Sequence, residues 1–156
     1  CYVCAQRYST GRAQLAVIDE GIGIYQSLVN ANINVNKDNF LREALKPGLT
    51  RTMQLAESEN IHENSGFGLY ILYHLAKNYG NFVISSSGRA LEIAKDMPEP
   101  NEYFTKLKGT LVSIEFQKYP HDMLDMLKMI SDEGELEALE EGREVKASSR
   151  SRSVKI

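Results

Sequence analysis

The sequence lacks the features that would place it in several common classes of protein. None of its apolar runs approaches the roughly 18 residues that a membrane span requires, and it shows no secretory leader pattern. The net charge is only −3, so there is no broad basic field to attract nucleic acid or anionic lipid. We therefore expect a cytoplasmic globular protein that binds neither nucleic acid nor membrane.

Cysteine is scarce, since the chain has only Cys1 and Cys4. Their C-x-x-C spacing occurs in zinc and redox sites, but a structural zinc site normally needs a second pair of ligands. No further cysteine exists, and His62, His74 and His121 are scattered without ligand spacing. A redox motif would open a helix, whereas this one lies in strand-like sequence. The sequence therefore predicts two thiols in a reduced protein and no metal site.

Three familiar nucleotide-binding signatures are also missing. There is no G-x-x-x-x-G-K-[ST] of a P-loop, and no glycine run has the full G-x-G-x-x-G spacing of a dinucleotide fold. Neither H-R-D nor D-F-G of a protein kinase is present. Any nucleotide site in this chain must therefore use a different kind of pocket.

What is present is enough for one domain. The chain has 156 residues, of which 42% are apolar and 25% charged, so one sizeable core can form. Alternating and helical periodicity indicates strands and helices in a definite order. The predicted strands are Tyr2–Tyr8, Arg12–Ile18, Asn81–Ser87, Ala90–Ala94 and Gly109–Gln117, and the predicted helices are Gly68–Tyr79 and roughly His121–Leu139.

The expected organisation is an α+β domain over residues 1–119, followed by a C-terminal helix at 120–142 and a disordered tail at 143–156. The fold should be a two-layer sandwich, in which helices cover one face of a mixed, mostly antiparallel sheet. Residues 25–65 form a long, polar and weakly apolar insertion with some helical character at Lys37–Leu45. Such an insertion predicts a lid or binding loop.

Two glycine-rich segments stand where ligands often bind. Asp19–Ile24, with glycine at positions 21 and 23, directly follows an apolar strand, where an acidic residue costs free energy unless it is used. Gly66–Leu69 precedes the strongest helix, whose free N–H groups and dipole can seat a phosphate. Taken alone, the first segment is equally compatible with a plain hairpin turn, and the second with a helix start that binds nothing.

Together with Gly109–Thr110, which opens the last predicted strand, these segments resemble the boxes of the GHKL superfamily. That superfamily includes histidine kinases, gyrase B and Hsp90. Asp19–Ile24 is similar to its D-x-G-x-G-I box, Gly66–Leu69 to its second glycine box, and Gly109–Thr110 to its late G-T pair. The resemblance covers roughly Tyr2 to Gln117, and it implies a Bergerat-type fold that binds ATP with Mg²⁺.

The resemblance also implies a role for each matched segment. Asp19 would accept a hydrogen bond from the adenine amino group, and the glycines after it would leave room for the base and a lid hinge. Gly66–Leu69 would wrap the phosphates, and Thr110 would support the adenine pocket. The implied nucleotide-binding residues are Asp19, Gly21, Gly23, Ile24, Gly66, Phe67, Gly68, Leu69 and Thr110.

The sequence departs from the family pattern in two places. Tyr70 stands where the second glycine box often has a third glycine. The family also carries an N box on a helix before the first hairpin, where an Asn ligates Mg²⁺ and, in several branches, a Glu activates water. Only the strand-like residues 1–18 precede Asp19. We therefore expect the N-terminal N-box portion to be missing, the metal ligand to lie upstream, and the chain as given to be inactive.

The resemblance implies that the full-length protein uses Mg-ATP for phosphoryl transfer or hydrolysis, as a kinase or ATPase in signal transduction. The alternative is a non-catalytic nucleotide-sensing or protein-interaction module. A protein partner is expected, and the core left open by the missing helix would be covered by a second copy or by the C-terminal helix. Two further alternatives stay open. The stripe Met123–Ile130 either binds a partner or packs on the domain, and Lys37, Lys46 and Arg51 either contact phosphates or are solvated.

Overall fold

The computed structural model describes residues 1–49, 65–117, 122–149 and 151–152. The last part of the predicted lid, residues 50–64 with Arg51 and His62, lies outside the described residues. In chain order the elements are β1 (Tyr2–Arg7), β2 (Ala13–Asp19), α1 (Gly23–Asn30), α2 (Phe40–Ala44), α3 (Gly68–Tyr79), β3 (Gly80–Ser86), β4 (Arg89–Ala94), β5 (Asn101–Phe104), β6 (Thr110–Phe116) and α4 (Met123–Glu140).

The sheet has six strands in the order β1-β2-β6-β3-β4-β5. Every pair of neighbours is antiparallel. The expectation of an α+β fold with helices packed on the sheet is confirmed, but the expected mixed character is wrong. The reason is that β6 runs between β2 and β3 in the direction opposite to both, so the helical connection from β2 to β3 creates no parallel pair.

The core lies on the face of the sheet that the helices cover. Alternate side chains of the three central strands point to this face and are buried, because side chains alternate across a strand. Helices α2 and α3 fill the other side of the same cluster. Its buried members are Phe40, Leu41, Leu45, Ala76, Phe82, Ile84, Leu91, Ile93 and Ile114.

Helix α3 is apolar on two sides. Leu69 and Leu72 pack against the sheet-facing cluster, whereas Tyr70, Ile71 and Leu75 form a second cluster with Leu127 and Ile130 of α4. The C-terminal helix therefore covers the outer side of α3. Of the two alternatives for the methionine-rich stripe, the structure supports packing on the domain. No described helix is long and apolar enough to cross a membrane.

Two segments differ from the expected polar lid and disordered tail. Residues 25–49 include α2, whose Phe40 is fully buried, so this part of the insertion contributes to the core. Near the C-terminus, Arg143 donates to the carbonyl of Pro47, and Ala147 packs against the α3–α4 cluster. Sequence composition missed both because each contact joins parts of the chain that are far apart in sequence.

The β1–β2 hairpin keeps an apolar face exposed on the side of the sheet that carries the helices. Val3 is 66% exposed and Leu15 is 40% exposed. Leu15, with Ala5 and Phe116, borders a shallow groove of about 500 Å³. Since α4 packs on α3, the C-terminal helix does not cover this face of the hairpin. That a second copy of the chain covers it in a homodimer stays a prediction.

Candidate functional site

The residues with candidate ligand chemistry meet at one end of three neighbouring strands. Asp19 at the end of β2 is the direct partner of Thr110 at the start of β6. Thr110 in turn is the direct partner of Ser86 at the end of β3. Directly paired residues point to the same face of a sheet, and Ser86 lies on the face of Phe82 and Ile84. A carboxylate and two hydroxyls thus form a row beneath the helical layer.

Asp19 is held in place by its own turn. Its Oδ1 accepts a hydrogen bond from the Gly21 N–H at 2.7 Å. This bond closes a short loop between the end of β2 and the start of α1, as Asp side chains commonly do. Among the described residues Oδ2 accepts no hydrogen bond, so it can accept one from a ligand.

Ser86 joins the two sequence motifs, although no sequence pattern marked it as a site residue. Its hydroxyl is fully buried, accepts from the Ile24 N–H at 2.8 Å and donates to the Gly109 carbonyl at 2.9 Å. It also lies 3.4 Å from the Thr110 hydroxyl. The Asp19–Ile24 turn and the Gly109–Thr110 pair are therefore fastened to each other through one side chain.

The fold itself requires the glycines of this cluster. Gly23 has a φ of 79°, and a Cβ there would lie 2.5 Å from the Ser87 hydroxyl oxygen. A Cβ on Gly109 would overlap the Asp19 carbonyl, and one on Gly21 would lie 2.6 Å from Asp19 Oδ1. Because packing explains these glycines, their presence does not by itself indicate a ligand.

The second glycine segment occupies the start of α3. Gly66 has a φ of 74°, and a Cβ there would lie 2.7 Å from the Gly48 backbone. Phe67 is fully buried and packs against Tyr70, so its side chain belongs to the core rather than to a free loop. Leu69 packs against the sheet-facing cluster. Of the predicted residues here, only Gly68 is exposed, and a Cβ on it would meet nothing within 4 Å.

The two halves of the predicted site lie toward the same end of the domain. Helix α3 ends at Tyr79, β3 begins at Gly80, and the two pack against each other. Twelve helical residues span about 18 Å and seven strand residues about 23 Å. The start of α3 therefore returns toward the end of β3, where Ser86 lies. Ile24 and Leu69 pack against the same core cluster, but no described contact joins Asp19 to Gly66–Leu69.

Tyr70, which stands where the second glycine box of the GHKL superfamily often has a glycine, anchors α4. Its hydroxyl donates to Glu137 at 3.1 Å, and its ring packs so closely on α4 that a Cβ on Gly134 would lie 2.7 Å from it. Burial, followed by the charge of Glu137, raises the pKa of Tyr70 above its usual value. This departure from the family pattern thus coincides with a packing contact.

Lys46 and the two cysteines have surroundings that the structure describes directly. Lys46 pairs with Glu43 and Glu141 at 3.1 Å each, so it is neither free nor simply solvated. Cys1 and Cys4 are exposed and unbridged. In the part of the chain that the structure describes, no group of three or more His, Cys, Asp or Glu side chains is arranged to hold a metal ion.

Comparisons with known protein families, with curated proteins and with solved structures gave no significant match.

Proposed function

We propose that this chain binds adenine nucleotide, as the nucleotide-binding part of a histidine-kinase-like ATPase or kinase. The observation that carries the proposal is the row formed by Asp19, Thr110 and Ser86 at the end of β2, β6 and β3. A carboxylate oxygen without a partner among the described residues is suited to an N–H donor such as the adenine amino group. The neighbouring Thr110 hydroxyl can hold water or a ring nitrogen, whereas the buried Ser86 hydroxyl already donates to the Gly109 carbonyl and positions the turn.

Gly68 supports the proposal independently. Gly is unfavourable within a helix, and here neither backbone conformation nor packing calls for it. Gly68 is exposed at the first turn of α3, so a ligand can approach the backbone at this position. The free N–H groups of such a turn favour an anion. We therefore assign Gly68 to the phosphate side of the proposed site.

Asp19 and the start of α3 suit a nucleotide better than they suit Mg²⁺. Asp19 and the α3 start offer an acceptor and a set of donors, which match a base and a phosphate. Mg²⁺ prefers carboxylate and water oxygens, and no suitable cluster occurs among the residues that the structure describes. We therefore assign no catalytic step to this chain, and phosphoryl transfer or hydrolysis stays a proposal for the full-length protein.

The test is base selectivity in the Asp19→Asn variant. Asn keeps an oxygen for the Gly21 N–H, so the turn should remain, but it replaces the second oxygen with a donor. We expect ATP to bind about 10- to 100-fold more weakly, because a hydrogen bond to a charged group is lost. GTP, which presents an acceptor at the same ring position, should lose much less. Calorimetry with each nucleotide measures the difference.

Asp125→Asn in α4 is the matched control, because it makes the same charge change at an exposed position. It should leave both affinities unchanged. If Asp19→Asn bound ATP as tightly as wild type while its turn remained intact, Asp19 would not contact the base and the proposed pocket would be wrong.

The second test separates binding from stability at Gly68. Gly68→Ala adds a methyl group into open space and replaces a poor helix former, so stability should be unchanged or slightly higher. If phosphates approach this turn closely, ATP affinity should nevertheless fall. Unaltered affinity in a stable Gly68→Ala variant would remove the phosphate assignment.

A further inference from the structure

The C-terminal segment crosses from α4 to the turn that precedes α3. We call residues 143–149, with Ser151 and Arg152, the C-terminal strap. Arg143 donates to the Pro47 carbonyl, and Val145 packs against Gly48 so closely that Gly48 has no room for a Cβ. The strap thus lies against the backbone that follows α2.

Its far end is fastened to α4 by charge. The two terminal nitrogens of Arg152 donate to Asp132 and Glu135 at 2.6 Å each. Glu135 also accepts the N–H of Ala147 at 2.8 Å. One carboxylate thus holds the strap at two points. Such charge-assisted bonds are stronger than neutral ones.

The strap reaches the start of the second glycine segment in two ways, directly at Ser65 and through Gly48 at Gly66. The Ser151 and Ser65 hydroxyl oxygens lie 3.4 Å apart. Gly48, beneath Val145, lies against Gly66, where a Cβ would be 2.7 Å from the Gly48 backbone. The turn at Ser65–Gly66 is therefore enclosed by parts of the chain that are remote in sequence.

We propose that the C-terminal strap orders the start of α3, and that Arg152 with Asp132 and Glu135 is the latch that keeps it in place. Val145 and Ala147 are the apolar strap residues that pack against the buried cluster of α3 and α4, so little apolar burial holds the strap. Segments with few apolar contacts open locally at low free-energy cost. The latch therefore decides how often the turn at Gly66 opens. Its effect on ATP rests on the proposed function.

The test follows the Ile71 amide, which donates to the Phe67 carbonyl at 2.9 Å and forms the first turn of α3. In nucleotide-free protein, Arg152→Glu should accelerate its hydrogen exchange about fivefold, as expected for losing a partly exposed ion pair. Arg152→Gln, which removes the charge without reversing it, should give an intermediate rate. The Ala76 amide, deep in the same helix, should not change.

Arg7→Glu is the matched control, because it makes the same charge reversal on the exposed strand β1. It should leave the Ile71 rate at its wild-type value. An unchanged Ile71 exchange rate in Arg152→Glu, or an equal acceleration in Arg7→Glu, would contradict the proposal that Arg152 keeps the strap in place.

ATP affinity gives a second readout that distinguishes the two proposals. If the start of α3 holds phosphates, Arg152→Glu should weaken ATP binding by a factor similar to the acceleration of exchange, because binding must then order the turn. If the wild-type protein binds no ATP, the proposed function is wrong, and the hydrogen-exchange rates alone then test whether the strap orders the start of α3. If ATP binds equally well to both proteins although exchange is faster in the variant, the coupling of the strap to nucleotide is wrong.

Discussion

Replacing Ser86 with alanine tests whether this side chain holds the Asp19–Ile24 turn against the Gly109–Thr110 pair. The variant removes a hydroxyl that is fully buried and that joins the Ile24 N–H to the Gly109 carbonyl. Both groups would then lack their partner. An unsatisfied buried polar group costs about 1–3 kcal/mol, and the carbonyl is the more deeply buried of the two. We expect the free energy of unfolding to fall by about 3 kcal/mol.

Ser85→Ala is the matched control on the same strand. Ser85 is also buried, but the one hydrogen-bond partner of its hydroxyl among the described residues is the Thr105 hydroxyl, at 3.1 Å. Because Thr105 is half-exposed and can turn to water, this variant should lose about 1 kcal/mol or less. Urea denaturation followed by circular dichroism measures both, provided the m-value stays constant. Equal losses in the two variants would show that Ser86 does not hold the two motifs together.

Three further variants test the packing around α3 and α4. Gly134→Ala should destabilise the protein although alanine favours helices, because the new Cβ would lie 2.7 Å from the Tyr70 ring; thermal unfolding measures it, and a higher Tm would contradict that contact. Ser131→Ala should stabilise by about 1 kcal/mol, since its buried hydroxyl has no partner among the described residues; a loss of stability in urea would show that a partner exists. Burial, then the nearby charge of Lys77, lowers the pKa of His74 from 6.5 to about 4. The unfolded chain therefore binds the proton first, and about 2 kcal/mol of stability should be lost as pH falls from 6.5 to 4. His74→Phe should lack that part of the pH dependence in urea titrations at each pH.

The elements that were predicted correctly have a strong local signal in the sequence, either a hydrophobic periodicity or characteristic turn residues. Helix α3 has its predicted bounds, Gly68–Tyr79, because its apolar residues repeat at helical spacing on two sides. The β3–β4 hairpin turns at Ser87–Gly88, as the turn residues indicated. These features depend on neighbours in sequence, so one sequence is enough to predict them.

The elements that were missed depend on distant contacts. Helix α1 begins at Gly23, inside the glycine-rich segment that was predicted as a turn or ligand loop, and Ser86 of β3 accepts the Ile24 N–H in its first turn. Strand β5 is exposed throughout, so it has no alternation of burial to detect. Ser86 lies within the predicted strand Asn81–Ser87, but its role as a buried link depends on the pairing of β3 with β6. No local pattern carries that information.

The glycine pattern is weaker evidence for a nucleotide site once the surroundings of each glycine are known. Gly23 and Gly66 have positive φ, and Gly109 lies against the Asp19 backbone, so packing explains them with or without a ligand. Packing does not explain two features. Asp19 Oδ2 has no hydrogen-bond partner among the described residues, and an exposed glycine stands at position 68 where a Cβ would meet nothing within 4 Å. If neither Asp19→Asn nor Gly68→Ala alters nucleotide binding in a folded protein, the pattern describes a set of turns. If both weaken it, the same turns position a base acceptor and a phosphate seat at one end of the domain.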